Sequence, residues 1–160
     1  MRAILDQCTD VPLQHLTDGT ILLEEGQTTG RAYVLASGTL EVSRDGTQVA
    51  LLTEPGSIVG EMSILLAAPH TATVRASGPA SVHVIPDADT FFRTHPALAW
   101  LISRLLANRL NAATTYLVDL KRQFEDHGTH LEMVSEVLDA LLHQQERDFH
   151  RGSNRDPGRS

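Results

Sequence analysis

The stretch GEMSILLAAPHTATVRA, residues 60 to 76, gathers residue types suited to holding an anion that is attached to a sugar. Gly60 lets backbone come close to a ligand. The amides after it open a short helix with its positive dipole end exposed. Glu61, at that helix start, is a two-oxygen acceptor able to take a sugar hydroxyl. Ser63, with Thr71 and Thr73 across from it, offers hydroxyl donors to phosphate oxygens. Such a pocket calls for a fixed positive charge, and His70 stands where that charge is expected. Taken singly, Glu61 is a helix cap and the threonines are strand residues. Their joint order along one stretch is what points to a pocket.

These residues need a frame, and residues from about 12 to 86 read as β. Short segments are punctuated by Gly, Pro and Asp every 8 to 12 residues or so, the spacing of a sandwich or roll. In TLEVS (39–43), Leu40 and Val42 fall on one face, Glu41 and Ser43 on the other. Arg44-Asp45-Gly46 then leads to TQVALL (47–52), and Asp-Gly is a strong hairpin signal. YVLASG (33–38) precedes them, Pro55-Gly56 turns the chain before SIVG, and ATVRA (72–76) and SVHVI (81–85) flank Ser77-Gly78-Pro79. About eight antiparallel strands without an intervening long helix predict a mainly β fold, a double-sheet β-roll of the jelly-roll type.

From Asp87 the character changes. DADTFFRTHP suits a short helix with Asp87 or Asp89 near its start, ending before Pro96. Residues 97 to 123 hold no Gly or Pro. Leu106, Leu110, Ala113, Leu117, Leu120 and Phe124 recur there at alternating spacings of four and three, the seam of a helix that pairs with another helix. An amphipathic helix packing on its own domain shows a similar stripe; the strictness of the seam favours a partner helix. The register continues through His127, Leu131, Val134, Leu138 and Leu141. Gly128 interrupts it, and Thr129-His130-Leu131-Glu132 is a capping-box pattern that starts a new helix. One continuous helix and two helices both fit, since Gly128 costs a helix only about 1 kcal/mol relative to Ala. The expected division is a β-roll with its short helix over 1–95, a helical dimerisation segment over 96–148, and a disordered tail over 149–160.

Composition closes off several classes. The chain has 160 residues, 41% hydrophobic and 21% charged, with thirteen basic against twenty acidic residues and a net charge of −7. That sign implies no general affinity for nucleic acid. No stretch approaches the roughly 20 apolar residues of a membrane span, and the start shows no signal peptide. The single cysteine, Cys8, excludes an internal disulfide framework. A cytoplasmic protein is expected. His70, Glu61 and Ser63 can be drawn as a catalytic triad, but no nucleophile-elbow pattern surrounds them. His127 and His130 make no convincing metal set. No catalytic residue, metal or resident cofactor is therefore expected.

Residues from about 13 to 124 resemble the cyclic nucleotide-binding domain of the catabolite-activator and cyclic-nucleotide-dependent kinase type. The resemblance is carried by GTILLEEG (19–26), YVLASGTLEV (33–42), PGSIVGEMSILLAAPHTATVRA (55–76) and the short-helix, long-helix end. It implies cAMP or cGMP as ligand, with Glu61 on the ribose 2′-hydroxyl. The backbone of Met62 and Ser63, together with Ala72, would hold the cyclic phosphate. It also implies an arginine after the proline, pairing with that phosphate, where this chain has His70. Arginine brings a permanent charge and a planar fork; histidine is shorter and, near an unperturbed pKa of about 6.5, mostly neutral. Arg75 shares a strand face with Thr71 and Thr73 but would need a long reach to replace it. Thr71 sits where guanine-preferring members carry a hydroxyl. Thr114 and Thr115 lie close to the place where the catabolite-activator type contacts adenine.

The expected function is thus a non-enzymatic regulatory module that binds a cyclic nucleotide weakly or with altered specificity. It would signal through a homodimer formed by the 99–124 helix and through an unidentified protein partner. The resemblance places a DNA-binding unit after the long helix, and the residues here suggest only its first helix, so no nucleic acid or membrane partner is expected. The alternative is a ligand-free roll kept as a dimeric interaction scaffold.

Overall fold

Arg44 and Thr47 pair across a two-residue turn in which Asp45 (φ 51°) and Gly46 (φ 76°) are both left-handed. That geometry matches the right-handed twist of the strands it joins. The computed structural model describes residues 2–125 and 129–143, and this hairpin is one of several that build it. A short helix α1 (Arg2–Asp6) is followed by β1 (Leu13–Leu16), β2 (Ile21–Leu23), β3 (Ala32–Ser37), β4 (Leu40–Arg44), β5 (Thr47–Leu52) and β6 (Ile58–Val59). Helix α2 (Glu61–Leu65) intervenes before β7 (Thr73–Ala76) and β8 (Ala80–Ile85), and α3 (Ala88–Thr94), α4 (Pro96–Gln123) and α5 (Thr129–His143) complete the order.

The eight strands form two four-stranded sheets, ordered β1-β8-β3-β6 and β2-β7-β4-β5, with every pairing antiparallel. This is the double-sheet roll expected. Leu16, Tyr33, Leu35, Val59, Ala80 and Val82 of the first sheet and Leu23, Leu40, Val74 and Ala76 of the second make one buried core. The alternation read in residues 39–43 holds: Leu40 and Val42 face the core. β3 is buried on both faces: α1 packs against it with Ile4 buried, and Cys8, just past α1, is buried as well. Burial pushes the Cys8 thiol up to about 11, so it stays protonated and inert at neutral pH.

Close packing sets a hard limit at the turn into β4. A Cβ on Gly38 (φ 88°) would lie 2.5 Å from the Pro79 carbonyl oxygen and 2.7 Å from Ala80 Cα. Only glycine fits where this turn crosses the entry to β8.

The short helix forms as expected. Asp87 caps α3, its Oδ1 accepting from the Thr90 amide at 3.2 Å and its Oδ2 from the Thr90 hydroxyl at 2.8 Å. α4 opens on Pro96, a residue pre-set for the first helical position. The continuous-helix reading is corrected. α4 stops at Gln123 and α5 begins at Thr129, where the capping pattern put a new helix.

Two compact units result, Met1–Leu105 and Leu106–Ser160. The first takes in the start of α4, where Leu98 and Ile102 are buried. In the second, Leu106, Leu117, Leu120 and Val134 are half-buried and Leu138 is buried, whereas Leu110, Ala113, Phe124 and Leu141 are exposed. His127, Gly128 and the tail expected to be disordered, 149–160, lie outside the described residues. Among the described residues, no helix is long and apolar enough to cross a membrane, and no group of three metal-ligating side chains gathers.

Two glycines with similar backbones separate strain from crowding. Gly78 (φ 78°) has nothing within 4 Å of a built Cβ. Gly78→Ala should therefore cost only the left-handed penalty of about 1–2 kcal/mol. Gly38→Ala should cost that plus about 1–3 kcal/mol of overpacking. Urea denaturation of both variants checks this; equal midpoints would contradict the crowding at Gly38.

Candidate functional site

β6 ends at Val59, Gly60 (φ 90°) follows it, and α2 starts at Glu61. Sequence reasoning had Gly60 making room for a ligand. The structure gives a different reason: a Cβ there would lie 2.5 Å from the Arg31 carbonyl oxygen and 3.1 Å from Ala32 Cα. The close approach is therefore internal, between the head of α2 and the entry to β3. Glu61 is 3% exposed, a carboxylate buried at the positive end of its helix. Met62 is exposed. Ser63 is buried, and its Oγ donates to the Gly60 carbonyl at 3.0 Å. Its one proton serves the helix head here, and the expected role as a phosphate donor would need the hydroxyl to turn.

The chain leaves α2 through Ala67, in a left-handed conformation (φ 49°), with the Ala68 amide donating to the Ser63 carbonyl at 3.0 Å. It then meets the loop between β2 and β3. The Gly26 amide donates to the His70 carbonyl at 2.9 Å, and the His70 amide donates to the Gln27 carbonyl at 2.8 Å. The Glu25 amide donates to Thr73 Oγ1 at 3.0 Å, so Thr73 holds this loop in place. Thr71 and Ala72, between those anchors, are half-buried. The β2–β3 loop therefore braces both arms of the site, Gly60 through Arg31 and His70 through Gly26 and Gln27.

His70 is 2% exposed. Its Nε2 lies 2.8 Å from Thr29 Oγ1, and Nδ1 is buried without a hydrogen-bond partner. Burial lowers its pKa from the ordinary imidazole value near 6.5, so the ring is neutral at pH 7 and supplies no charge. Arg75 does not replace it. Its Nη2 lies 2.8 Å from Glu41 Oε1, and its Nε donates to the same oxygen at 3.1 Å, across the β4–β7 register. The sequence already made Arg75 a replacement only by a long reach, and this ion pair would have to open for it.

The residues named from the sequence thus fall in two places. Gly60, Glu61, Met62, Ser63, His70, Thr71, Ala72 and Thr73 lie in the first unit, along one continuous stretch. Thr114 and Thr115 lie on α4 in the second unit, where Thr115 Oγ1 donates to the Asn111 carbonyl at 2.9 Å. Sequence reasoning missed Thr29, Gln27 and Arg31. The available signal was the polar run EEGQTTGR between two strands, which is long for a hairpin and so has work beyond turning the chain.

Comparison with known proteins accords with this geometry. The acetyltransferase Pat of Mycolicibacterium smegmatis is 37% identical over 76 residues, which are 46% of this chain and 22% of that relative. This chain thus spans less than a quarter of it. The catabolite activator protein of Thermus thermophilus is 22% identical, with a TM-score of 0.61 over 89% of this chain and 82% of that one. The regulatory domain of Toxoplasma gondii PKA, crystallised with cAMP, is 19% identical, with a TM-score of 0.54 over 66% of this chain and 45% of that one. At these identities the two structures share the fold. The model of the family described as "Cyclic nucleotide-binding domain" matches residues 13–93, from β1 into α3. The chain belongs to the cyclic nucleotide-binding domain family.

Proposed function

We propose that this protein is a non-enzymatic sensor module that binds cAMP or cGMP weakly and signals through its helical segment. The observation that carries the reading is a buried Glu61 at the head of α2, with residues 70–73 tied down by the β2–β3 loop. That arrangement keeps a sugar acceptor and a set of backbone amides pre-formed, which spares a ligand the cost of ordering them. What is missing is charge. A hydrogen bond to a charged group contributes about 1.5–3 kcal/mol, and each 1.4 kcal/mol or so is tenfold in affinity. A neutral imidazole at residue 70 in place of a guanidinium therefore costs about one to two decades. Thr71 keeps cGMP a candidate beside cAMP.

Signalling is assigned to a homodimer through residues 99–124, supported by the exposure of Trp100, Leu110 and Phe124 on α4 and just beyond it. A ligand shifts such a dimer only by its differential affinity for two states. Output passes to a protein partner in the cytoplasm. One observation favours a second reading: His70 is already bonded to Thr29 and buried, as in a roll that has become a dimeric interaction scaffold and binds no nucleotide.

Two experiments bear on these assignments. In calorimetric titration, the native protein should bind cAMP or cGMP weakly, and His70→Arg should tighten binding by about ten- to a hundredfold. Silence from both proteins would favour the scaffold. Replacing Leu117 and Leu120 together by Glu should give monomers in sedimentation equilibrium. An unchanged mass would assign those leucines to intrachain packing.

A further inference from the structure

The stretch from Gly60 to Thr73 carries no cation at neutral pH, but the loop that braces it does. Arg31 closes that loop, and two contacts of its backbone place it at the site. Its carbonyl oxygen lies against the head of α2, 2.5 Å from a Cβ built on Gly60. Its amide donates to Thr29 Oγ1 at 3.2 Å, and that hydroxyl lies 2.8 Å from His70 Nε2. One hydroxyl therefore separates the Arg31 backbone from the residue that stands where the charge was expected. Strand register gives its level. Tyr33 pairs with Val59, Ala32 Cα lies 3.1 Å from the built Gly60 Cβ, and one more step brings Arg31 level with Glu61. By the alternation of a strand, Arg31 falls on the side of Tyr33, whose ring lies in the core between the sheets.

The Arg31 side chain is exposed, so a ligand can reach it. Arg75 is paired with Glu41 and Arg93 with Asp89, whereas no carboxylate among the described residues forms an ion pair with Arg31. Resting on the reading of the site as a nucleotide pocket, we propose that Arg31 is a ligand-binding residue that supplies, from the β2–β3 loop, the cation that residue 70 does not. A guanidinium is a permanent charge with a planar fork that matches two phosphate oxygens. The anchors on Thr29 and Gly60 use backbone atoms alone, which leaves the guanidinium N–H donors for the cyclic phosphate. That phosphate is then met by a charge from the loop and by backbone amides from the stretch the loop braces.

Amide-shift titrations of the native protein and of Arg31→Gln, each with cAMP and with adenosine, test this. The substitution keeps the backbone amide and carbonyl that meet Thr29 and Gly60, so the brace stays in place. Arg31→Gln should weaken cAMP binding by about tenfold, the low end for a hydrogen bond to a charged group, because the guanidinium is exposed. Adenosine has the same base and sugar without the phosphate, and should show no difference between the two proteins. Arg31→Lys, which keeps the charge and loses the fork, should recover part of the cAMP affinity. An equal loss for cAMP and adenosine would make Arg31 a residue that steadies the loop and would overturn the proposal. So would cAMP binding unmoved by Arg31→Gln, an outcome that leaves the nucleotide reading standing. No saturable cAMP binding by the native protein would overturn both.

Discussion

The site depends on one steric constraint, the contact between Gly60 and the backbone of Arg31 and Ala32. With a Cβ position only 2.5 Å from the Arg31 carbonyl oxygen, the head of α2 lies against the entry to β3 with no room for any side chain. The same β2–β3 loop reaches the other arm through backbone bonds to His70 and the Glu25 amide on Thr73. Two stretches separated by the whole of α2 are thus referenced to a single loop. In a family whose task is recognition, such bracing is what keeps a pocket open to selection by ligand rather than assembled by it.

Charge is where this chain differs from what its resemblance implies. His70 is neutral because burial disfavours its protonated form, and Arg75 is paired with Glu41 across the β4–β7 register. The chain's net charge of −7 gives an anionic ligand no long-range help either. On the proposed reading, binding would rest on backbone amides, on Glu61 for the sugar, and on a short helix whose dipole is correspondingly small. Those contacts favour shape over charge. A pocket of this kind suits a ligand present at high concentration, or a scaffold in which the roll has kept its form for another reason.

Much of the fold was legible in the sequence because its signals are local. Asp45-Gly46 marked its hairpin through backbone preference alone, Asp87 marked α3 through a cap, and Thr129 marked α5 in the same way. Helix α1 was not legible: at five residues it carries too little periodicity, and its burial of Ile4 against β3 is a tertiary effect. The Arg75–Glu41 pair was hidden for a related reason. It exists only because β4 and β7 pair in one register, which no local pattern announces. Glu61 and His70 could be found from their order along one stretch, whereas Thr29 is 41 residues from the ring it touches. The sequence called for a close approach at Gly60 and named a ligand; that the Arg31 and Ala32 backbone stands there is a tertiary fact no local pattern announces.

The central claim is that the braced stretch from Gly60 to Thr73 is a working nucleotide pocket without a cation. Mapping backbone amide shifts of the native protein during a cAMP titration tests it most directly. Saturable shifts confined to residues 60–63, 70–73 and the loop around Thr29 are the expected result. Shifts absent at millimolar nucleotide, or concentrated elsewhere on the roll, would contradict it.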